Sequence, residues 1–140
     1  MKRTVTKRVS KVIKNRNAGT MSEAVFWQFI RNTLRKRSLA WRPITLCRDR
    51  AKRKYVGTNT RQKYEYQCNH CKNWFKATEI AVDHIVPVGS LTCAADLPSF
   101  IEGLFCEVDN FQVLCKTCHD AKSLIDNKNT KNEKKSNQQP

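Results

Sequence analysis

Val82-Asp83-His84-Ile85-Val86-Pro87 ends a short apolar run with an acid and an imidazole side by side. Its counterpart downstream is Asn110-Phe111-Gln112-Val113-Leu114-Cys115-Lys116-Thr117-Cys118-His119, which sets an amide and a second imidazole around a cysteine pair. The rest of the chain reads as support for these few polar residues.

Cysteine spacing comes next. Cys68-x-x-Cys71 and Cys115-x-x-Cys118 are two chelating knuckles, since a two-residue gap lets both thiolates of a pair reach one ion. Two pairs complete the tetrahedral shell that zinc prefers, so the four are expected to hold a structural zinc. With seven cysteines, an odd number, metal binding in a reduced, cytoplasmic chain is a better reading than a disulfide framework. His70 lies inside a tight knuckle and reads as a bystander. His119, surplus to four thiolates, is left free for other work. Cys47, Cys93 and Cys106 read as ordinary thiols.

The 140 residues imply one domain with tails, and a modest core, because 39% are hydrophobic and 28% charged. A net charge of +15 and a pI of about 9.8 point to a polyanionic partner: DNA, RNA or an anionic membrane. That charge is lopsided. Residues 1–63 hold 19 Lys and Arg against Glu23 and Asp49 alone, whereas residues 64–140 hold 8 against 10 acids. No run approaches the ~18 apolar residues of a membrane span, and no apolar stretch follows the basic start as in a signal peptide. Membrane insertion and secretion are therefore not expected.

Residues 1–19 read as a basic flexible tail and 20–63 as a basic, partly helical DNA-binding arm. Thr20-Met21-Ser22-Glu23 matches a capping box, with the Thr20 hydroxyl accepting a backbone N–H and Glu23 reaching back. The helix it opens should run to about Ala40, because Pro43 stops it. Phe26, Ile30, Thr33 and Leu34, with Phe29 beside them, form its apolar face, and Arg31 and Arg35 lie off that face. Arg48, Arg50, Lys52, Arg53 and Lys54 form the densest basic cluster, a candidate DNA contact with Arg31 and Arg35. Gly57 to Thr60 reads as a turn, and Tyr64, Tyr66 and Cys68 alternate as a strand does. Residues 127–140, rich in Asn, Lys and Gln, read as a flexible tail.

Asp83, His84, Asn110 and His119 are the residue types that metal-assisted phosphodiester hydrolysis needs. An imidazole with an ordinary pKa of about 6.5 takes a proton from water near neutrality. A carboxylate and a second imidazole hold a divalent cation that steadies the phosphate and the departing oxygen. Lys122 follows His119 by three and shares its helical face, within reach of the phosphate.

In order along the chain, Cys68-x-x-Cys71, Asp83-His84-Ile85-Val86-Pro87 and Asn110-x-Gln112-x-Leu114-Cys115-x-x-Cys118-His119-x-x-Lys122 resemble the HNH endonucleases of the ββα-metal (His-Me finger) fold. The likeness is to the four-cysteine, zinc-clasped subgroup common in phages and mobile elements. It covers residues 64–126. It implies an α+β module of two antiparallel strands, the first ending near Asp83 and His84 and the second spanning Phe111 to Leu114, with a helix starting near Cys118. It also implies that His84 is the general base, that Asp83 and His119 bind a catalytic Mg or another divalent cation such as Mn or Ni, and that Asn110 holds the base in place. Leu97 through Phe105 is expected to form a short helix between the strands.

Neighbours on a regular strand point to opposite faces, so a shared phosphate calls for a bent strand end at Asp83 and His84, with Pro87 as a breaker. Taken singly, each polar residue has an ordinary structural explanation; jointly, clasped by two cysteine pairs, they favour a nuclease. The alternative is a non-catalytic, zinc-containing DNA-binding protein.

Overall fold

The computed structural model describes residues 10–137. Lys2, Arg3, Lys7 and Arg8 of the basic tail, and the last three residues of the C-terminal tail, lie outside the described residues. Helix α1 spans Glu23–Ser38, and its N-cap is Ser22, whose hydroxyl accepts from the Val25 N–H. The Thr20 hydroxyl is not the cap; it donates to the Asn17 carbonyl across a tight turn. Glu23 does not reach back either. Its carboxylate takes a two-pronged contact from Arg16 and a third bond from the Trp27 indole. Arg16, read as tail, is thus docked on α1, where its guanidinium also covers the Phe26 ring at 4.4 Å.

The buried face of α1 is rotated from the one the apolar spacing predicts. Trp27 points inward with Phe26, Ile30 and Leu34, and Phe29 is left half exposed. The reason is the partner: Phe100 and Leu104 of α3 (Leu97–Leu104), with Leu91, offer a deep apolar seat that the wide indole fills. α1 stops at Ser38, two residues short of the expected Ala40, and Pro43 lies beyond its end. This proline occupies the first turn of α2 (Arg42–Arg50), where the missing N–H has no intrahelical partner to lose. The Trp41 indole ties the junction down by donating to the Cys106 carbonyl at 2.7 Å.

Two small antiparallel sheets follow. Strands β1 (Lys52–Lys54), β2 (Tyr64–Gln67) and β3 (Trp74–Phe75) form one, in that order. The first cysteine knuckle is the connection between β2 and β3, and it is pinned to the second sheet by Asn69, whose backbone N–H donates to Val113 O at 2.7 Å. The second sheet pairs β4 (Ile80–His84) with β5 (Phe111–Cys115), opposing Asp83 to Gln112 and His84 to Phe111. Val82 and Val113 face α2 and share a core with Cys47 and Tyr66. α4 (Lys116–Ser136) packs against both strands of the pair.

The α+β class holds, and the helix over Leu97–Leu104 lies where it is expected. Two expectations change. α4 begins at Lys116 and continues through Ser136, across most of the segment whose composition predicts a flexible tail. The bent strand end is also missing. β4 stays in register through His84, because the Asn110 carbonyl accepts the next N–H, from Ile85, at 2.8 Å. Among the described residues, no helix is long and apolar enough to cross a membrane.

Candidate metal and active site

The sulfurs of Cys68, Cys71, Cys115 and Cys118 all lie within 4.8 Å of one another, and those of Cys71 and Cys115 are 4.0 Å apart. Four thiolates at ~2.3 Å from a central zinc fit with a slight contraction. The thiols of the cluster are held in unlike states by their surroundings. Burial works against ionising Cys68, yet the backbone N–H groups of Cys115, Cys71 and His70 help pull its thiol down to about 6. Cys118 is pushed up to about 12, chiefly by its contact with Cys115. The four could hold a zinc ion.

His119 is outside this cluster. One turn into α4, it turns its Nε2 toward Asp83 Oδ1 at 3.8 Å and its Nδ1 toward Asp120 Oδ1 at 3.7 Å. Asp83 comes from β4, so strand and helix bring a carboxylate and an imidazole together. The other carboxylate oxygen, Oδ2, is buried and makes no well-aligned hydrogen bond, although the Lys122 ammonium lies 3.2 Å away. Lys122 is also bonded to Asp126, one turn further along α4. Burial acts to lower the Lys122 pKa, but Asp126 and Asp83 outweigh it and raise it above its usual value. The charge partner of this oxygen is the Lys122 ammonium, and among the described residues the four cysteines are the one cluster of three or more potential metal ligands.

His84 lies on the opposite face of the strand, stacked on Phe111 with ring centroids 4.6 Å apart. Its Nε2 is 3.1 Å from the Leu104 carbonyl. A carbonyl only accepts, so in the neutral ring Nε2 carries the hydrogen and Nδ1 keeps the free lone pair. Asn110 secures the segment just beyond: its carbonyl takes the Ile85 N–H and its Oδ1 takes the Val86 N–H at 3.3 Å.

Of the basic residues singled out in the sequence, only Lys122 joins this site. Arg53 is engaged by the fold, bonded at 2.6 Å to the buried Glu65 and laid over Trp74. Arg50 approaches Asp109, Lys52 pairs with Asp49, and Arg48 covers Tyr66. Arg35 lies over Phe100, Arg31 flanks a groove that also reaches Lys134, and Lys54 is exposed.

Sequence reasoning missed Asp126 and the Leu104 carbonyl. Asp126 was findable, since His119, Lys122 and Asp126 fall on one helical stripe. The carbonyl has no signature, because any residue supplies one. No protein-family model, no curated protein and no solved structure matches the chain.

Proposed function

We propose that the chain is an HNH-type endonuclease of the ββα-metal fold that hydrolyses DNA phosphodiester bonds. The observation that carries this reading is the approach of His119 to Asp83 outside the cysteine cluster, with His84 on the adjoining residue and its Nδ1 uncommitted. Among the described residues, β4 has a strand partner on one edge only. A phosphate lying along its open edge would have Asp83 on one side and His84 on the other, as an in-line displacement requires.

His84 Nδ1 takes the proton from the attacking water. The Leu104 carbonyl holds the ring through Nε2–H and steadies the imidazolium that forms. Asn110 fixes the chain beyond His84 and so the direction of the ring. Lys122 releases Asp83 and turns its charge to the phosphate, with Asp126 as its second anchor. Asp83 and His119 would hold Mg or another divalent cation, which when bound supplies positive charge for the phosphate and the departing 3′ oxygen. The four cysteines would hold zinc for structure only.

One observation favours the second reading, a non-catalytic zinc-containing DNA-binding protein: Lys122 already compensates Asp83, as in an ordinary structural ion pair. Supercoiled plasmid separates the two. Zinc-loaded wild type should nick it with Mg²⁺ or Mn²⁺, stop in chelator and resume on add-back. Binding without nicking under all of these conditions leaves only the second reading.

A further inference from the structure

The β1–β2–β3 sheet carries a feature that the candidate active site does not use. Lys52 pairs with Tyr66 and Lys54 with Tyr64 across β1 and β2, so these four side chains share one face. Tyr64 is 44% exposed, and the Lys52 ammonium lies 4.9 Å from its ring centre. Beside that ring runs a groove of about 340 Å³, in the size range of small-ligand sites. Arg61, Lys63 and Lys76 are among its lining residues, and no carboxylate lines it.

The acids nearby are committed elsewhere. Glu65 points to the opposite face and is bonded to Arg53, and Asp49 is paired with Lys52. Glu79 accepts the Lys76 backbone N–H. Among the described residues, Lys54, Arg61, Lys63 and Lys76 have no acidic partner. Solvated lysines alone would be ordinary, because exposed charges are screened within a Debye length of ~10 Å. A half-exposed tyrosine that lines a groove with three unpaired cations and no acid is a different arrangement. It is the chemistry that grips a nucleic-acid strand, with stacking for a base and cations for its phosphates.

We propose that this groove binds an unpaired nucleotide of a DNA strand. Tyr64 stacks on the base, while Arg61, Lys63 and Lys76 contact the flanking phosphates. The site stands apart from Asp83, His84 and His119 and does not depend on the nuclease reading.

Fluorescence anisotropy of the zinc-loaded full chain with a labelled 15-mer of dT, the same length of rU and a 15-base-pair duplex tests it. Tyr64→Leu should weaken dT binding about tenfold, with the dependence of affinity on salt unchanged, and Tyr64→Phe should bind as wild type. Duplex affinity should be indifferent to Tyr64→Leu, because paired bases are not free to stack. Replacing Arg61, Lys63 and Lys76 together by Ala should flatten the salt slope for dT by about two, at ~0.7 per phosphate contact. Equal losses on rU would extend the site to either nucleic acid. Tyr64→Leu binding dT as wild type does, or losing duplex affinity to the same extent, overturns the stacking site. An unaltered salt slope in the triple variant overturns the phosphate contacts.

Discussion

Asp83 is claimed from two sides, by the His119 imidazole and by the Lys122 ammonium, and the second claim opposes any metal. Replacing Lys122 by Met should therefore tighten Mn²⁺ binding about fivefold, the equivalent of a ~1 kcal/mol ion pair, as read by electron paramagnetic resonance without DNA. Asp126→Asn should loosen it, because Lys122 then has Asp83 as its remaining anchor. In the Lys122→Met background Asp126→Asn should have little effect, and a full effect there would make Asp126 a direct ligand instead. The nearness of Asp83 to His119 was legible, because residue type and order single out both. The faces that Asp83 and His84 occupy were not, since they depend on a register that Asn110 extends through its own backbone.

At the level of elements, the two sheets meet through the cysteine knuckles and α1 meets the rest through α3. Cys115→Ser should cost the fold itself, because a four-thiolate site supplies folding free energy outright. Far-UV circular dichroism that stays native-like after this change and after zinc removal would contradict the structural assignment. Leu104→Ala should destabilise by ~2–5 kcal/mol, the usual range for emptying a buried leucine site, as read by denaturant unfolding.

The start of α1 adds a pH dependence. The Arg16 contact, then the Trp27 indole bond, holds the Glu23 carboxylate down at about 2 from an ordinary 4.5. A depressed carboxylate stabilises above its unfolded pKa, and the contribution fades as pH falls from about 4.5 toward 2. The difference in Tm between wild type and Glu23→Gln should accordingly be full at pH 7 and shrink below pH 4.5. Equal differences at pH 7 and pH 3 would contradict it. Sequence periodicity located α1 to within two residues at its end, yet placed Phe29 rather than Trp27 toward the core. Periodicity gives a helical face only to within a residue or so; the shape of the α3 seat chose between neighbours.

Across the whole molecule, charge and chemistry are divided. The first 63 residues hold most of the cations, and the hairpin and helix after them hold the candidate site. Several arm cations are taken up internally, Arg16 and Arg53 among them. Removing residues 1–15 deletes Lys2, Arg3, Lys7, Arg8, Lys11 and Lys14 while sparing the docked Arg16. The salt slope of duplex binding should then fall by up to about 5, at ~0.9 per phosphate contact, and an unaltered slope would show that this segment does not touch DNA. Composition made the division visible. It did not reveal that α4 would run to Ser136, because residues 127–136 lack an apolar stripe and owe their helix to propagation from the packed first turns.

The proposed nuclease needs a proton acceptor at His84 beside the Asp83 and His119 pair. Its most direct test is plasmid nicking by His84→Ala in Mn²⁺, with zinc content and DNA affinity measured on the same preparation. We expect zinc and affinity at wild-type levels and nicking reduced by at least about 10²-fold, the scale of a general base. Nicking at the wild-type rate by the folded, zinc-loaded variant would contradict it.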